Sequence, residues 1–167
     1  PPDARDFDDA INISFDSDTQ EWELGIHIAD VASFVQQGSA LDRNAIERGN
    51  SVYLPRHVVP MLPEILSNGV CSLQEGVRRW AKSAFIRFDK KGNVIGHRLS
   101  NTVICSEKRL TYLEAQSLID GDEKEARIHS VTGGAYSQQL IEALQLANTL
   151  AQKLLSRRRK DGMIELQ

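Results

Sequence analysis

The sequence predicts a domain of mixed α+β class, with antiparallel strands in hairpins and packed helices. Apolar and polar side chains alternate along residues 11–15 and 22–28, and the second pair of strand-like segments, 84–88 and 94–105, flanks a run of turn residues. Apolar residues recur at helical spacing over residues 135–159. A length of 167 residues with 41% hydrophobic content is enough for one globular core.

The elements before residue 64 follow from local signals. Residues 16–20 have turn chemistry and connect the two alternating segments into an antiparallel hairpin. Residues 41–48 suit a short helix that Gly49 ends in the left-handed conformation. The segment that follows contains three prolines, Pro55, Pro60 and Pro63. They exclude a helix interior or a central strand there and favour a rigid, extended loop.

The C-terminal part of the sequence is predicted to be helical. Thr111 can cap a helix over residues 112–119 that ends near Gly121. In the long helix that follows, the apolar stripe comprises Leu140, Leu144, Ala147, Ala151 and Leu154. This stripe is expected to face the core or a partner.

Composition and charge exclude several classes of protein. The net charge of -3 is not that of a basic nucleic-acid binder, so a polyanion must be held locally, by a metal or a basic patch. No apolar stretch approaches the roughly 20 residues that cross a bilayer, and no leader is present, so we expect no membrane contact and a cytoplasmic location. Cys71 and Cys105 have no disulfide or zinc spacing and are expected to be buried thiols.

An acidic run lies directly before the first predicted strand. Asp6 and Asp8 project to the same side of an extended chain, about 6.6 to 7 Å apart, and Asp9 joins them if the chain bends. Crowded carboxylates repel one another and favour a bound cation, and hard oxygen ligands suit Mg²⁺ or Mn²⁺. A solvated turn is the alternative, whereas the spacing does not fit a calcium loop.

If the acidic run does hold metal, phosphodiester hydrolysis is the leading chemistry. Metal ions held by clustered aspartates polarise a phosphodiester and lower the pKa of bound water.

Several motifs resemble, in order, the RNB catalytic domain of the ribonuclease II and ribonuclease R family. They are DARDFDDA at residues 3–10, GIHIADV at 25–31, RGNSVYLP at 48–55 and VPMLP at 59–63. The resemblance implies that residues 1–167 are the N-terminal portion of an RNB domain. The rest of that domain, and flanking cold-shock and S1-type RNA-binding domains, would belong to the same longer chain.

The resemblance also implies a function. It is that of a metal-dependent, processive exoribonuclease that degrades single-stranded RNA from the 3′ end and releases 5′-monophosphates. By this likeness Asp6 and Asp9 hold Mg²⁺, which Mn²⁺ can replace, and Asp8 is tied most directly to cleavage. Tyr53 matches the tyrosine that packs against the terminal nucleotide. Arg56, beside this loop, is a candidate phosphate contact.

Two functional elements of the family fall outside the sequence. A further metal-binding aspartate precedes the position that matches Pro1, and the catalytic arginine belongs to a later part of the domain. We therefore expect these 167 residues alone to be inactive, and expect the Leu140 to Leu154 stripe to be partly exposed and to promote self-association. The alternative function is a non-catalytic RNA-binding or scaffolding protein that retains the RNB surface.

Three further features have a structural interpretation. Tyr53, taken alone, is typical of a packing tyrosine. His27 is more typical of a hydrogen-bonded strand histidine than of a metal ligand. The basic run at residues 157–160 complements the dipole of a helix C-terminus, and is equally compatible with contact to RNA.

Overall fold

The structure of the chain is a computed structural model that describes residues 5–55 and 57–163. Its strands and α-helices, in chain order, are β1 (Asp9–Asp16), β2 (Glu21–Ala29), α1 (Ala40–Arg48), β3 (Val52–Leu54), β4 (His57–Val59), β5 (Arg78–Phe88), β6 (Val94–Cys105), α2 (Tyr112–Ile119), α3 (Glu123–Ile128) and α4 (Gln138–Lys160). A short 3-10 helix (Val31–Ser33) follows β2, and a π-helical segment (Ile65–Val70) precedes β5. Four strands form an antiparallel sheet in the order β1-β2-β5-β6, and β3 pairs with β4. The predicted α+β class is confirmed.

The first predicted hairpin is present. Phe15 of β1 pairs with Trp22 of β2, and their ring centroids lie 4.4 Å apart. The carboxylate of Asp16 accepts hydrogen bonds from the backbone N–H groups of Asp18, at 2.8 Å, and Thr19, at 3.2 Å. This side chain therefore closes the turn, as the composition of residues 16–20 predicts.

The second hairpin is also confirmed, although β5 begins six residues before the predicted segment. Its turn depends on Asp89, whose carboxylate accepts from the backbone N–H groups of Lys91 and Asn93 and from the Asn93 side chain, at 2.7 to 2.8 Å. Gly92 has a φ of 82°, a conformation that favours glycine.

Helix α4 packs on one face of the sheet, at the end that carries Trp22 and Phe88. Leu146, Leu150 and Leu154 contact these rings, and Leu150 is 2% exposed. The predicted stripe is correct only in part: Leu154 belongs to this core, Leu140, Leu144 and Ala147 are half-buried, and Ala151 is exposed. Two adjacent stripes on α4 have helical spacing, so the pattern alone cannot select the one that meets the sheet.

A second, smaller core lies at the other end of β2. Ala29, Cys71 and Leu73 are buried there, with Phe7 and Leu66 among the residues packed against them. Cys71 is thus buried as predicted, but the prediction for Cys105 is wrong, because Cys105 at the end of β6 is exposed. Of the helices in the part of the chain that the structure describes, none is long and apolar enough to cross a membrane.

The proline-rich segment differs from the predicted loop. It contains the hairpin of β3 and β4, in which Tyr53 pairs with Val58. Pro55 lies in the turn and Pro60 follows β4, so neither removes an N–H that the ladder needs. Among the helices, α1 and α2 match their predictions and α2 begins with a capping box at Thr111, while α3 was not predicted.

A row of polar side chains crosses the sheet. The His27 ring lies between Asn12, whose Oδ1 is 2.8 Å from Nε2, and Ser83, whose Oγ is 2.7 Å from Nδ1, and Ser83 in turn contacts Thr102. Burial lowers the pKa of His27. His27 is therefore the hydrogen-bonded strand histidine that the sequence favours.

Gly25 leaves room for the Asn12 side chain of this row because it has no Cβ. A Cβ at Gly25 would lie 1.9 Å from Asn12 Oδ1, so Gly25→Ala must displace the amide and leave the buried His27 ring without that partner. We expect a loss of roughly 1 to 3 kcal/mol in the free energy of unfolding, measured in urea. The control is Gly96→Ala in β6, where the nearest atom is 3.8 Å away. Equal losses for the two variants would contradict this account.

Candidate active site

A cleft at the N-terminal side of the fold contains three of the predicted functional residues. It has a volume of about 930 Å³, and Asp6, Asp8 and Tyr53 all line it. Ala29 at the end of β2 and Pro60 after β4 form parts of its wall. The cleft therefore lies between the acidic segment and the β3-β4 hairpin.

The acidic segment is held by a buried serine 65 residues away in sequence. The hydroxyl of Ser72, which is fully buried, accepts a hydrogen bond from the Phe7 N–H at 3.1 Å and donates one to the Arg5 carbonyl at 2.7 Å. The Leu73 N–H donates to the Phe7 carbonyl at 2.9 Å. These bonds keep residues 5–7 extended against the second core.

Alternation along this extended segment separates the carboxylates from the core. Phe7 packs into the second core and lies under the guanidinium of Arg109, whose Cζ is 4.6 Å from the ring centroid. Asp6 and Asp8 on either side of it line the cleft, as the spacing predicts. The Ala29 N–H donates to the Asp8 carbonyl at 2.9 Å and joins the segment to β2.

The three carboxylates share one electrostatic environment. Partial burial raises the pKa of Asp8, and the negative charges of Asp6 and Asp9 raise it further. Asp9 is exposed at the start of β1 and is not part of the cleft wall. The structure thus brings Asp6 and Asp8 into one cleft and leaves Asp9 beside it, close enough to interact with Asp8 through charge.

This donor set fits a hard divalent cation in its chemistry, but it is incomplete. Carboxylate oxygens in a field that already disfavours a negative charge are suitable ligands for Mg²⁺ or Mn²⁺. Within residues 5–55 and 57–163, however, no three His, Cys, Asp or Glu side chains lie close enough together to hold a metal ion. Any ion at this site therefore needs further ligands.

Tyr53 provides an aromatic surface in the same cleft as Asp6 and Asp8. Its side chain is 70% exposed, and its strand β3 is held to the segment after β4 by the Ser51 hydroxyl, which accepts from the Met61 N–H at 2.9 Å. Such exposure is not that of a packing tyrosine. Arg56, the predicted phosphate contact, lies outside the described residues.

Sequence reasoning missed the residues that position the segment. Arg79 donates from Nε to the Ser72 carbonyl at 2.9 Å and from Nη2 to the Gly69 carbonyl at 3.1 Å, so it fixes the loop that carries Ser72. Asp30, which is buried, forms an ion pair with the half-exposed Lys82 at 3.2 Å. No local pattern indicates these partners, because each bond joins residues that lie seven or more positions apart in the sequence.

The comparisons with known proteins agree with the sequence motifs. The RNB domain family matches residues 1–167. Ribonuclease R of Acidithiobacillus ferrooxidans is 40% identical over 163 residues, which cover 98% of this chain and 35% of that protein. The chain spans between 15% and 35% of the length of the curated relatives it matches.

Solved structures show the same fold. Ribonuclease R of Mycoplasma genitalium, in complex with ribose-methylated single-stranded RNA, has a TM-score of 0.84 and 31% identity, and the match covers all of this chain and 24% of that one. Yeast Ssd1, a pseudonuclease, has a TM-score of 0.66 and 22% identity over 90% of this chain and 16% of that one, a likeness that shows the fold alone. From the family match along its whole length and the relatives named ribonuclease R, this chain belongs to the RNB domain family.

Proposed function

We propose that this chain is the acidic half of the active site of an exoribonuclease that hydrolyses single-stranded RNA from its 3′ end. The enzyme releases 5′-monophosphates processively and depends on a divalent metal. One observation carries the proposal: in an RNB domain, two carboxylates and an exposed tyrosine line the same cleft.

The roles proposed for the carboxylates are those that the resemblance to the RNB family implies. Asp6 and Asp9 are proposed to hold Mg²⁺, or Mn²⁺ in its place, with further ligands from outside the described residues. The bound ion would neutralise phosphate charge and lower the pKa of water. Asp8, whose pKa is raised by partial burial and by both acidic neighbours, is proposed to act most directly in cleavage.

Tyr53 is proposed to stack on the terminal base of the RNA. Base stacking on an aromatic ring contributes roughly 1 to 3 kcal/mol and tolerates any base, which suits degradation that ignores sequence. Arg56, which follows the same strand, is proposed to contact a phosphate. Together they would place the last linkage beside the carboxylates, and the cleft volume of about 930 Å³ has room for a nucleotide.

A second candidate function is RNA binding without hydrolysis. The fold also occurs in a pseudonuclease, and the described residues lack three metal ligands in one place. The presence of Asp6, Asp8 and Asp9 together favours the enzyme, because a protein that only binds RNA does not need three repelling carboxylates at its binding site. The same incomplete ligand set leads us to propose that the 167 residues are inactive alone.

Replacement of Asp8 distinguishes hydrolysis of RNA from RNA binding without hydrolysis. In the longest natural chain that carries these residues, Asp8→Asn should lower mononucleotide release from 3′-end-labelled single-stranded RNA with Mg²⁺ by about 100- to 1,000-fold. Asp18→Asn, in the exposed β1-β2 turn, is the matched control and should leave release unchanged. If Asp8→Asn releases mononucleotides as fast as the unmodified chain, Asp8 has no catalytic role; if the unmodified chain binds RNA and never shortens it, the second candidate is correct.

The same substitution should stabilise the chain in the absence of metal. Since the pKa of Asp8 is raised, the folded state disfavours the charged carboxylate, and this penalty is absent at low pH and complete once Asp8 is ionised. Asp8→Asn should therefore unfold at a higher urea concentration than the unmodified chain at pH 7, and the difference should shrink as the pH falls towards 3.8. A difference that stays constant with pH would show that charge is not its origin.

If Tyr53 stacks on the terminal base, its role depends on the aromatic ring and not on the hydroxyl. Tyr53→Ala should raise KM for single-stranded RNA roughly 5- to 150-fold in the longest natural chain, the equivalent of the stacking energy, whereas Tyr53→Phe should keep KM near the original value. Tyr112→Ala at the start of α2 is the matched control, because Tyr112 is 93% exposed and lies outside the cleft. Equal KM values for Tyr53→Ala and Tyr112→Ala would rule out stacking on Tyr53.

A further inference from the structure

A second concave surface lies between the β5-β6 turn and the C-terminal half of α4, and we call it the basic groove. Its volume is about 860 Å³. Five described side chains that line it are cationic, namely Lys90, Lys91, Lys153, Arg157 and Lys160, and one, Asp161, is anionic. The chain as a whole has a net charge of -3, so positive charge is concentrated at this surface.

Tertiary hydrogen bonds build the groove from two distant segments. Lys153 Nζ donates to the Lys90 carbonyl and Arg157 Nη1 donates to the Gly92 carbonyl, each at 3.3 Å. Gly92 is buried against α4, where a Cβ would lie 3.6 Å from the Leu154 side chain. The turn and the helix are therefore fixed together, and the groove is formed before any ligand arrives.

Neighbouring acidic groups neutralise little of this charge. Asp161 lies 3.6 Å from Arg157 Nε, but Lys90, Lys153 and Lys160 form no salt bridge with any carboxylate of residues 5–55 and 57–163. Asp89 in the turn accepts three hydrogen bonds from its own loop and also interacts with Lys91 through charge. Glu21, near the turn, pairs with Arg87 at 3.7 Å.

The helix dipole explains only part of the cluster. Cations in the last turn of α4, from Arg157 onwards, complement the partial negative charge of a helix C-terminus. That argument does not apply to Lys90 and Lys91, which lie in a strand turn, or to Lys153, which precedes the last turn. Bringing these like charges together costs free energy that a bound polyanion would offset.

We propose that the basic groove binds the sugar-phosphate backbone of single-stranded RNA. Unpaired lysines neutralise phosphates, and the groove also contains amide and hydroxyl side chains, Asn148, Gln152 and Ser156, of the types that bond phosphate and sugar oxygens. The positive charge alone selects a polyanion, and the choice of RNA rests on the proposed function. Because no aromatic side chain lines the groove among the described residues, binding there is independent of the bases.

The groove lies near the Trp22 end of β2, because Trp22 pairs with Phe88, which directly precedes the turn that lines the groove. The acidic cleft lies at the other end of the same strand. Trp22 of β2 packs under α4, and Ala29 at the other end of β2 lines the cleft. Trp22 and Ala29 are seven residues apart in the strand, and at roughly 3.3 Å per residue this is a distance of about 23 Å. The groove would therefore hold nucleotides upstream of a 3′ end in the cleft, and only longer RNAs would reach both.

The test compares two neutralised pairs in the 167-residue chain. Lys91→Gln/Lys160→Gln removes one charge from each side of the groove, at side chains that make no hydrogen bond or salt bridge within the described residues. Lys124→Gln/Arg127→Gln on α3 changes the net charge equally and is the control. Binding to fluorescent single-stranded RNAs of about 4 and about 16 nucleotides is followed by anisotropy without Mg²⁺.

The groove variant should lose more affinity for the longer RNA than for the shorter one, because the longer RNA offers more phosphates to the groove. Loss of two phosphate contacts should also reduce the slope of log K against log salt by about 1.4, so that its deficit against the unmodified chain shrinks about sevenfold between 50 and 200 mM salt. The control should keep the original slope.

Two results would overturn the proposal. One is an unchanged affinity and salt slope of the groove variant for the longer RNA. The other is an unchanged RNA affinity together with lost binding to phosphatidylserine vesicles, which would assign the groove to a lipid surface. Because the assay contains no Mg²⁺ and measures no hydrolysis, failure of the exonuclease proposal would leave these outcomes unaffected.

Discussion

The position of the candidate site depends on the buried hydroxyl of Ser72. It bonds both the Arg5 carbonyl and the Phe7 N–H, and so fixes an extended backbone where a free chain would sample many conformations. Once Phe7 is placed in the second core, alternation directs Asp6 and Asp8 into the cleft. One neutral, satisfied hydrogen-bond pair therefore determines where negative charge is presented.

The negative charge of this segment lowers the stability of the folded chain. Partial burial and two acidic neighbours disfavour the charged form of Asp8, a penalty that a structural role would not require and that a bound cation would relieve. At the other end of β2 the chain concentrates positive charge. The two surfaces divide the charge of an acidic chain into a region suited to a cation and a region suited to phosphates, as the proposed binding of one RNA strand across both would require.

Local signals in the sequence predicted much of the fold. Alternation and turn residues found both hairpins, and Gly49 and Thr111 marked helix ends correctly. The errors on α4 and in the proline-rich segment share a cause, which is that tertiary contacts decided the outcome. The sheet selected Leu150 over Ala151 on α4, and the prolines of residues 55–63 occupy positions that a small hairpin tolerates.

At the site, spacing predicted that Asp6 and Asp8 share a side, but no pattern marks Ser72 or Arg79 as their support, because those bonds span 65 and 7 to 10 residues. The central claim is that this acidic segment recruits a divalent cation. The most direct measurement is the uptake of Mn²⁺ by the longest natural chain, followed by the loss of the free-ion EPR signal. The account predicts uptake that Asp9→Asn strongly weakens; equal uptake by both proteins would contradict it.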